Sequence, residues 1–343
     1  MKAQILKKIV KLEENPEPLE MVDLPIPQPN AKEILVRISA CGVCHTEIDE
    51  IEGRCQPKLP VIPGHEIVGT VQERGNKATK FQVSDRVGIA WIYASCGKCG
   101  FCREGKENLC PEFQATGCDA NGGYAQYMVV SEDFAYPIPE RFTAAQAAPL
   151  LCAGAIGYRA LNLTGIQDHQ ILGLFGFGAS AHIVIQLAKY KYPHGRVFVF
   201  TRPGQKEHQD LAKKLGADWT GATGDNPPAN LNYAIDFTPV WKPVVEALRI
   251  LEKGGRVVIN AIRKEEMDKN SLLELNYSTH LWQEKEIKSV ANITRKDVQE
   301  FLPLAAQIPI IPEVQEFKLE EANKALNLLK RGRIQGAGVL RVD

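Results

Sequence analysis

The sequence contains no long hydrophobic run, and this excludes several classes of protein. No stretch of its 343 residues approaches the ~18 consecutive apolar residues that a membrane-spanning helix needs. The segment from Met1 to Lys8 lacks the apolar core of a signal peptide. Internal repeats, low-complexity runs and blocks of like charge are also absent. We therefore expect a cytoplasmic protein that does not insert into membranes.

The sequence also has no excess of charge of either sign. Its 41 Lys and Arg residues balance 41 Asp and Glu residues, so no overall field favours nucleic acid or an anionic membrane. The length predicts about two domains, each able to bury its own core. In a reducing cytoplasm, the nine cysteines are expected to be metal ligands or buried thiols rather than disulfides.

Four of these cysteines are concentrated in one short segment with the spacing C-x2-C-x2-C-x7-C. Thiolates at this density favour a soft or borderline cation, and four protein ligands leave no open coordination position. An iron–sulfur cluster is one alternative, but its bacterial motif has about three residues in the last interval, where this sequence has seven. A pair of disulfides is another alternative. The spacing favours a structural zinc site formed by Cys96, Cys99, Cys102 and Cys110.

Short strands and Gly/Pro turns dominate the chain up to about Pro139. The alternating segment Ile34–Ala40 predicts a strand, and the strand-like segments Val68–Val71 and Val83–Ala90 follow it. Prolines on either side of the first strand disfavour long helices. The pattern predicts a mainly β domain.

This half of the chain also contains candidate ligands for a second metal. Two thiolates and one imidazole with an open position are a catalytic zinc set. The candidates are Cys41 or Cys44, His65, Glu66 and Cys152. They are scattered along the chain, so spacing alone leaves open that His65 is an ordinary polar residue and that Cys152 is a buried thiol.

The second half of the chain carries a dinucleotide-binding fingerprint. An apolar strand at 170–175 runs into G-x-G-x-x-A, formed by Gly176, Gly178 and Ala181. The next segment predicts an amphipathic helix with Ile183, Leu187 and Ala188 on one face. In this motif the glycines allow a tight turn and close approach to the pyrophosphate, which faces the helix N-terminus.

More alternating segments follow the fingerprint. They predict strands at 196–200, 234–237 and 254–259, and helices at 205–215 and 244–251. Such alternation indicates a Rossmann domain, a doubly wound parallel sheet. The ribose-reading positions after the second strand are Thr201 and Arg202, so no carboxylate would repel a 2′-phosphate. Arg202 could bind that phosphate or point into solvent, which leaves NAD and NADP both open.

Taken together, five segments occur in the order seen in zinc-dependent medium-chain alcohol dehydrogenases. They are Cys-Gly-Val-Cys-His-Thr (41–46), Pro-Gly-His-Glu (63–66), the four-Cys segment (96–110), Leu-Cys-Ala-Gly (151–154) and the glycine turn (176–181). The sequence resembles this family, and its yeast-like bacterial members in particular, over essentially its whole length. The resemblance implies a mainly β, GroES-like catalytic domain at 1–153 and 293–343, and a Rossmann domain at 154–292.

The resemblance also implies roles for individual residues. Cys44, His65 and Cys152 would bind the catalytic zinc, with Cys41 as a spare core thiol. Glu66 would be a carboxylate able to exchange onto the metal, and Thr46 a hydroxyl that contacts the alcohol and begins a proton relay. His45 would face the cofactor pyrophosphate, and Trp91 would either line the substrate pocket or belong to the core.

Three positions depart from the family pattern. Asp49 replaces the His that often ends the proton relay, so the relay would end at Asp49, at His45 or in water. Ala337 stands where many members have an Arg that grips the pyrophosphate, a contact that is then missing or made by Arg341. Ile156 replaces a Thr near the nicotinamide. Each departure affects a secondary contact and leaves the zinc ligands in place.

The resemblance implies an enzyme that transfers hydride between NAD(H) or NADP(H) and a small alcohol or aldehyde. It implies two zinc ions per chain and a homodimer or homotetramer. A polyol or sugar dehydrogenase of the same superfamily is an alternative, which Trp91 and the cysteine at 152 disfavour. A non-enzymatic dinucleotide-binding sensor with structural zinc only is an alternative of a different class.

Overall fold

The computed structural model describes residues 1–308 and 310–342 and divides into two compact units. The first unit comprises Met1–Ala155, Ile293–Ala306 and Ile311–Asp343, and the second comprises Ile156–Asn292 and Gln307–Ile310. Among the residues described, no helix is both long enough and apolar enough to cross a membrane.

Strands dominate the first unit, and strands and helices alternate in the second. In chain order, the strands are β1 (Lys2–Leu6), β2 (Leu19–Asp23), β3 (Glu33–Val43), β4 (Ile67–Arg74), β5 (Arg86–Ile89), β6 (Ile92–Ala94), β7 (Gln114–Ala115), β8 (Tyr127–Ser131), β9 (Ala135–Pro137), β10 (Ile171–Phe175), β11 (Arg196–Thr201), β12 (Trp219–Ala222), β13 (Leu231–Asp236), β14 (Leu251–Ile259), β15 (Glu286–Ser289), β16 (Val314–Lys318) and β17 (Ala337–Arg341). The α-helices are α1 (His45–Ile51), α2 (Gly100–Arg103), α3 (Ala144–Ala147), α4 (Ala153–Thr164), α5 (Ala179–Lys191), α6 (Lys206–Lys214), α7 (Lys242–Arg249), α8 (Arg295–Gln307) and α9 (Ala322–Lys330).

The first unit is built around β3, which lies in a seven-stranded sheet with the path β16-β17-β3-β4-β5-β9. Its first half pairs with β8, its last residues pair with β17, and β4 runs antiparallel along most of its length. Its apolar side chains Ile34, Val36 and Ile38 are buried in the core of this unit. Because α1 begins directly after β3, residues 44–51 are held at the carboxyl end of an interior strand of this sheet.

The second unit contains a six-stranded sheet in the order β12-β11-β10-β13-β14-β15, and every neighbouring pair is parallel. Numbered from β10, this order is 3-2-1-4-5-6, which is the order of a Rossmann fold. The chain changes direction across the sheet between β10 and β13, and dinucleotides bind at the carboxyl ends of the strands at that point. The predicted Rossmann sheet and the mainly β first unit are both confirmed.

Three predicted elements differ from the structure. The strand predicted at Val83–Ala90 begins only at Arg86, because a turn in which Asp85 caps the N–H of Gln82 precedes it, with a left-handed Ser84. The helix predicted at 244–251 is α7, which ends at Arg249, and Leu251 already belongs to β14.

The third difference concerns α5, for which the sequence predicts burial on one face. The helix is buried on most of its circumference, including His182, Val184 and Ile185. It contacts β11, and α4 also approaches it so closely that a side chain at Gly157 would lie 2.8 Å from the hydroxyl of Ser180. Packing from two directions explains why the helix needs little polar surface.

Candidate active site

The structure brings four separated residues together in the first unit. Ligand atoms of Cys44, His65, Glu66 and Cys152 all lie within 4.8 Å of one another. Cys44 is the residue between β3 and α1, and His65 and Glu66 directly precede β4. Cys152 follows a 3₁₀ turn at Ala148–Leu151 and precedes α4. Three ends of secondary-structure elements therefore converge on one point.

Cys41 does not join this cluster. It is fully buried within β3, and side chains built at Gly64 or Gly123 would lie 2.8 Å from its sulfur. Burial raises the pKa of this thiol well above its usual value, and the charge of Glu47 adds to the rise. The spacing of the residues left the two cysteines as alternatives and the resemblance implied Cys44, which the structure places with the other donors.

A glycine leaves room for the carboxylate of Glu66. A side chain at Gly42 would collide with the carboxyl group of Glu66. The backbone N–H of Gly42 donates to the carbonyl of Glu66 at 2.9 Å, which fixes the two segments against each other. The sequence at position 42 is therefore dictated by the close approach of the strand to this carboxylate.

The two thiols of the cluster have opposite protonation preferences. A hydrogen bond from Cys152 lowers the pKa of Cys44 well below its usual value, against the effect of burial and with help from His65. The same bond raises the pKa of Cys152, and burial adds to the rise. The two thiols therefore share a proton, which a bound divalent cation would replace.

The imidazole of His65 is oriented by Glu47, a residue that the sequence motifs did not single out. His65 Nδ1 lies 2.6 Å from Glu47 Oε1, and both side chains are buried. Burial by itself would lower the pKa of His65, but the charges of Glu47 and Cys44 raise it well above its usual value. His65 Nε2 is buried without a hydrogen-bond partner among the described residues. An unpartnered buried nitrogen beside two sulfurs fits a zinc ligand.

Glu47 is held in place by the start of α1. Its second oxygen, Oε2, accepts a hydrogen bond from the backbone N–H of Cys44 at 2.7 Å. A Glu at the third position of a helix that returns to the N-cap is half of a capping box, so a sequence signal existed. What the sequence did not show is that the other oxygen faces His65.

Replacing Glu47 by Gln is expected to lower the zinc affinity of this site by about 10- to 100-fold, because such second-layer partners fix the imidazole and raise its basicity. Competition with a chelator measures the affinity. Glu132→Gln is the matched control, since Glu132 is also buried and caps the N–H groups of Thr79 and Lys80 far from the four donors in sequence. An unchanged zinc affinity in Glu47→Gln would contradict this role.

The other predicted residues of α1 occupy distinct environments. Thr46 Oγ1 lies 3.6 Å from the sulfur of Cys44. His45 is exposed, next to the buried Thr46. Asp49 is buried, and its carboxylate accepts a hydrogen bond from Arg54 Nε at 2.6 Å. The structure therefore places Thr46 at the donor cluster and Asp49 in an ion pair.

Trp91 packs directly against the cluster. Its ring meets the His65 imidazole edge to face, with centroids 4.9 Å apart, and only 7% of the residue is exposed. An indole in this position shields the imidazole from water and fixes its plane. Trp91 is thus both a core aromatic and a neighbour of the candidate metal site.

The four-cysteine segment forms a second donor cluster in the first unit. Sulfur atoms of Cys96 and Cys110 lie 3.5 Å apart, and those of Cys96 and Cys102 lie 3.9 Å apart. Four sulfurs at the usual zinc–sulfur distance form a tetrahedron with edges of about 3.8 Å. No disulfide joins any of the nine cysteines among the described residues, and these separations are far longer than a disulfide bond of about 2.05 Å.

Backbone N–H groups donate hydrogen bonds to the sulfur atoms of this loop. The N–H of Cys99 donates to the sulfur of Cys96 at 3.4 Å, and the N–H of Cys102 donates to the sulfur of Cys99 at 3.5 Å. Hydrogen bonds from the backbone lower the pKa of Cys96 to about 6, so this sulfur is a thiolate at neutral pH. The loop is anchored to α8 by an ion pair between Glu107 and Arg295 at 2.6 Å.

In the second unit the glycine turn follows β10. Gly176 has a left-handed φ of 84° and a side chain there would lie 2.9 Å from Thr238. A side chain at Gly178 would meet nothing within 4 Å, so the backbone is open to a ligand. Ala181 is fully buried in α5. The three motif residues thus show the tight turn, the open approach and the close packing that the fingerprint predicts.

A buried charge pair supports this turn. Asp236, at the carboxyl end of β13, pairs with Lys264 and also accepts hydrogen bonds from Thr238. Lys264 Nζ donates to the carbonyls of Thr238 and Val240 at 2.9 and 2.8 Å. Burial raises the pKa of Asp236, and Lys264 opposes the rise. The network fixes Thr238 against Gly176 at the switch point of the sheet.

The two predicted ribose-reading residues face different ways. The hydroxyl of Thr201 is buried and accepts a hydrogen bond from Gln209 Nε2 at 2.9 Å. Arg202 is exposed. Because Gly176 N donates to Phe200 O at 2.8 Å, the end of β11 lies beside the glycine turn. Of the two residues, Arg202 is therefore the exposed one at the end of the strand that lies beside the glycine turn.

Comparisons with known proteins agree with this architecture. Residues 30–140 match the family model of the alcohol dehydrogenase GroES-like domain. The chain is 42% identical over 335 residues to "Probable alcohol dehydrogenase AdhA" of Mycobacterium tuberculosis (strain CDC 1551 / Oshkosh), covering 95% of this chain and 93% of the relative. It is 36% identical over 353 residues to an alcohol dehydrogenase of Geobacillus stearothermophilus, covering 100% of both chains.

A solved structure shows the same arrangement. The alcohol dehydrogenase from the hyperthermophilic archaeon Aeropyrum pernix matches with a TM-score of 0.85 and 26% identity, covering 100% of both chains. The fold and the relatives together define an enzyme of the oxidoreductase class. The chain belongs to the zinc-type medium-chain alcohol dehydrogenase family. This assignment confirms the family resemblance and removes the alternative of a non-enzymatic sensor.

Proposed function

We propose that the protein is a zinc- and nicotinamide-dependent dehydrogenase that interconverts small alcohols and aldehydes. The observation that carries the proposal is the convergence of Cys44, His65 and Cys152 within 4.8 Å. Three protein donors of this kind are typical of a catalytic zinc, whereas a structural zinc has four. Glu66 belongs to the same cluster and is the carboxylate able to exchange onto the metal.

Zinc bound there would supply a Lewis acid that lowers the pKa of an alcohol, and the nicotinamide would supply the hydride acceptor. The chain's own residues would handle the proton. The hydroxyl of Thr46, beside Cys44, would accept the proton from the alcohol. Because Asp49 is paired with Arg54, the exposed His45 is the residue that would pass the proton to water.

We assign the second zinc to Cys96, Cys99, Cys102 and Cys110. The donor atoms of these residues also lie within 4.8 Å of one another, and four thiolates leave no position for a substrate. This zinc would be structural, which gives two zinc ions per chain. The catalytic domain is assigned to 1–153 and 293–343, and the cofactor domain to 154–292.

The cofactor would bind with its pyrophosphate at Gly176, Gly178 and Ala181, where the N-terminus of α5 begins. Both NAD and NADP would be accepted. Neither Thr201 nor Arg202 is a carboxylate, so no negative charge at these positions rejects a 2′-phosphate, and the exposed Arg202 can pair with one.

The test is turnover with a panel of short primary alcohols, their aldehydes and a polyol, each assayed with both cofactors. We expect activity with the primary alcohols and aldehydes, and measurable rates with NADP as well as NAD. Preference for the polyol would contradict the substrate class. Strict rejection of NADP would contradict the role of Arg202 and leave the zinc assignment intact.

We also propose that the protein is a homodimer or homotetramer. Between residues 262 and 287 of the second unit, large apolar side chains are exposed, namely Ile262, Met267, Leu273, Tyr277, Trp282 and Ile287. The strand β15 is an edge strand of the six-stranded sheet. Exposed apolar side chains near a sheet edge are typical of an interface between subunits. Sedimentation of the wild type and of Leu273→Glu tests this: we expect an oligomer that the variant weakens, and a monomeric wild type would contradict it.

A further inference from the structure

The second unit holds a third group of metal-binding side chains, apart from both cysteine clusters. Asp168 and His169 lie between α4 and β10, and His194 lies between α5 and β11. Because β10 and β11 are parallel neighbours, with Ile171 opposite Arg196, the two segments meet at the amino-terminal edge of the sheet. The glycine turn follows the other end of β10, so this group plays no part in nucleotide binding.

The carboxylate of Asp168 connects the two segments. Its Oδ1 accepts hydrogen bonds from the backbone N–H of His169 at 3.0 Å and of His194 at 2.9 Å. Its Oδ2 lies 2.7 Å from His194 Nδ1. A carboxylate held by three contacts has one fixed orientation. This oxygen ligand is therefore positioned before any cation arrives.

The two imidazoles are placed side by side. Their ring centroids lie 4.8 Å apart with an angle of 11° between the planes. His169 adopts a left-handed backbone with φ of 66°, a conformation that is uncommon in residues other than glycine. This backbone directs the chain so that the ring lies next to His194. Two imidazoles and a carboxylate with donor atoms within 4.8 Å of one another form a chelating set.

We propose that Asp168, His169 and His194 form a binding site for a divalent transition-metal ion such as Zn²⁺. Two imidazole nitrogens and a carboxylate oxygen suit this class of ion, at about 2.0–2.2 Å from each ligand. The cation would take the place of the proton between Asp168 Oδ2 and His194 Nδ1, which lie 2.7 Å apart, and His169 would supply the third ligand. Since both rings are exposed, water fills the remaining positions. The ion ties the segment before β10 to the segment before β11.

The test compares zinc uptake by the holoprotein and by His169→Asn/His194→Asn. Asparagine tolerates a left-handed backbone, so the change at 169 does not disturb the chain. Each protein is first dialysed against zinc-free buffer until its metal content is constant and then titrated calorimetrically with Zn²⁺. We expect the wild type to bind one equivalent more than the double variant and to melt at a higher temperature when zinc is added.

His208→Asn is the matched control, because His208 belongs to the same unit and lies outside the group. It should retain the additional equivalent. Equal zinc stoichiometry in the wild type and the double variant would overturn the proposal, even if both bound excess zinc elsewhere. Dehydrogenase activity should be unchanged in the double variant, so the outcome is separate from that of the proposed function.

Discussion

Replacing Cys44 by Ala is expected to lower kcat/KM by about 10³-fold or more and to remove the catalytic one of the two cysteine-bound zinc ions that we propose. The Lewis acid contributes several kcal/mol to the stabilisation of the transition state, and each 1.36 kcal/mol corresponds to about a tenfold change in rate. With one of three protein ligands removed, the remaining two cannot hold the metal in a defined geometry. The zinc at the four-cysteine loop should stay bound.

The control for this experiment is Cys41→Ala. Cys41 precedes Cys44 by three positions and is equally part of the Cys-Gly-Val-Cys segment, but it is buried outside the donor cluster. Metal analysis should find about two zinc ions in Cys41→Ala and about one in Cys44→Ala. Full activity in Cys44→Ala, or loss of zinc in Cys41→Ala instead, would refute the ligand assignment.

Cys102→Ser is expected to remove the other zinc and to lower the melting temperature by more than about 8 °C. Loss of a bound metal belongs to the small group of changes that cost more than about 4 kcal/mol, and in a domain of this size each kcal/mol corresponds to roughly 2–4 °C. Without metal, the thiolates of the loop 96–110 repel one another, and the loop has little apolar core of its own to replace the lost bonds.

Cys118→Ser provides a matched comparison, since Cys118 is 7% exposed and Cys102 is 8% exposed. Cys118 lies outside both cysteine donor clusters, and burial raises the pKa of its thiol to about 12. Calorimetry and metal analysis on both variants separate loss of zinc from the cost of a buried hydroxyl. If Cys102→Ser kept two zinc ions, or had the same melting temperature as Cys118→Ser, the structural zinc assignment would be wrong.

Features whose residues are contiguous in the chain were determined by the sequence alone. The four-cysteine loop carries all its ligands within residues 96–110, and the glycine turn carries its three motif residues within 176–181. Local geometry decides both, because the spacing of ligands and the backbone freedom of glycine do not depend on distant packing. Alternation of strands and helices was likewise enough to predict the Rossmann sheet.

Features that join distant segments were decided only by the tertiary structure. The spacing of the residues left Cys41 and Cys44 both open, and the family resemblance implied Cys44. The contact between Glu47 and His65 could be seen only in the structure, where both side chains are buried. The hydroxyl of Thr201 is buried because Gln209 of a neighbouring helix covers it. The helix α5 is buried on most faces because neighbouring elements pack against it. Asp168 and His194 met because β10 and β11 are adjacent. Burial and long-range contact determine these environments, and neither is encoded in the spacing of residues along the chain.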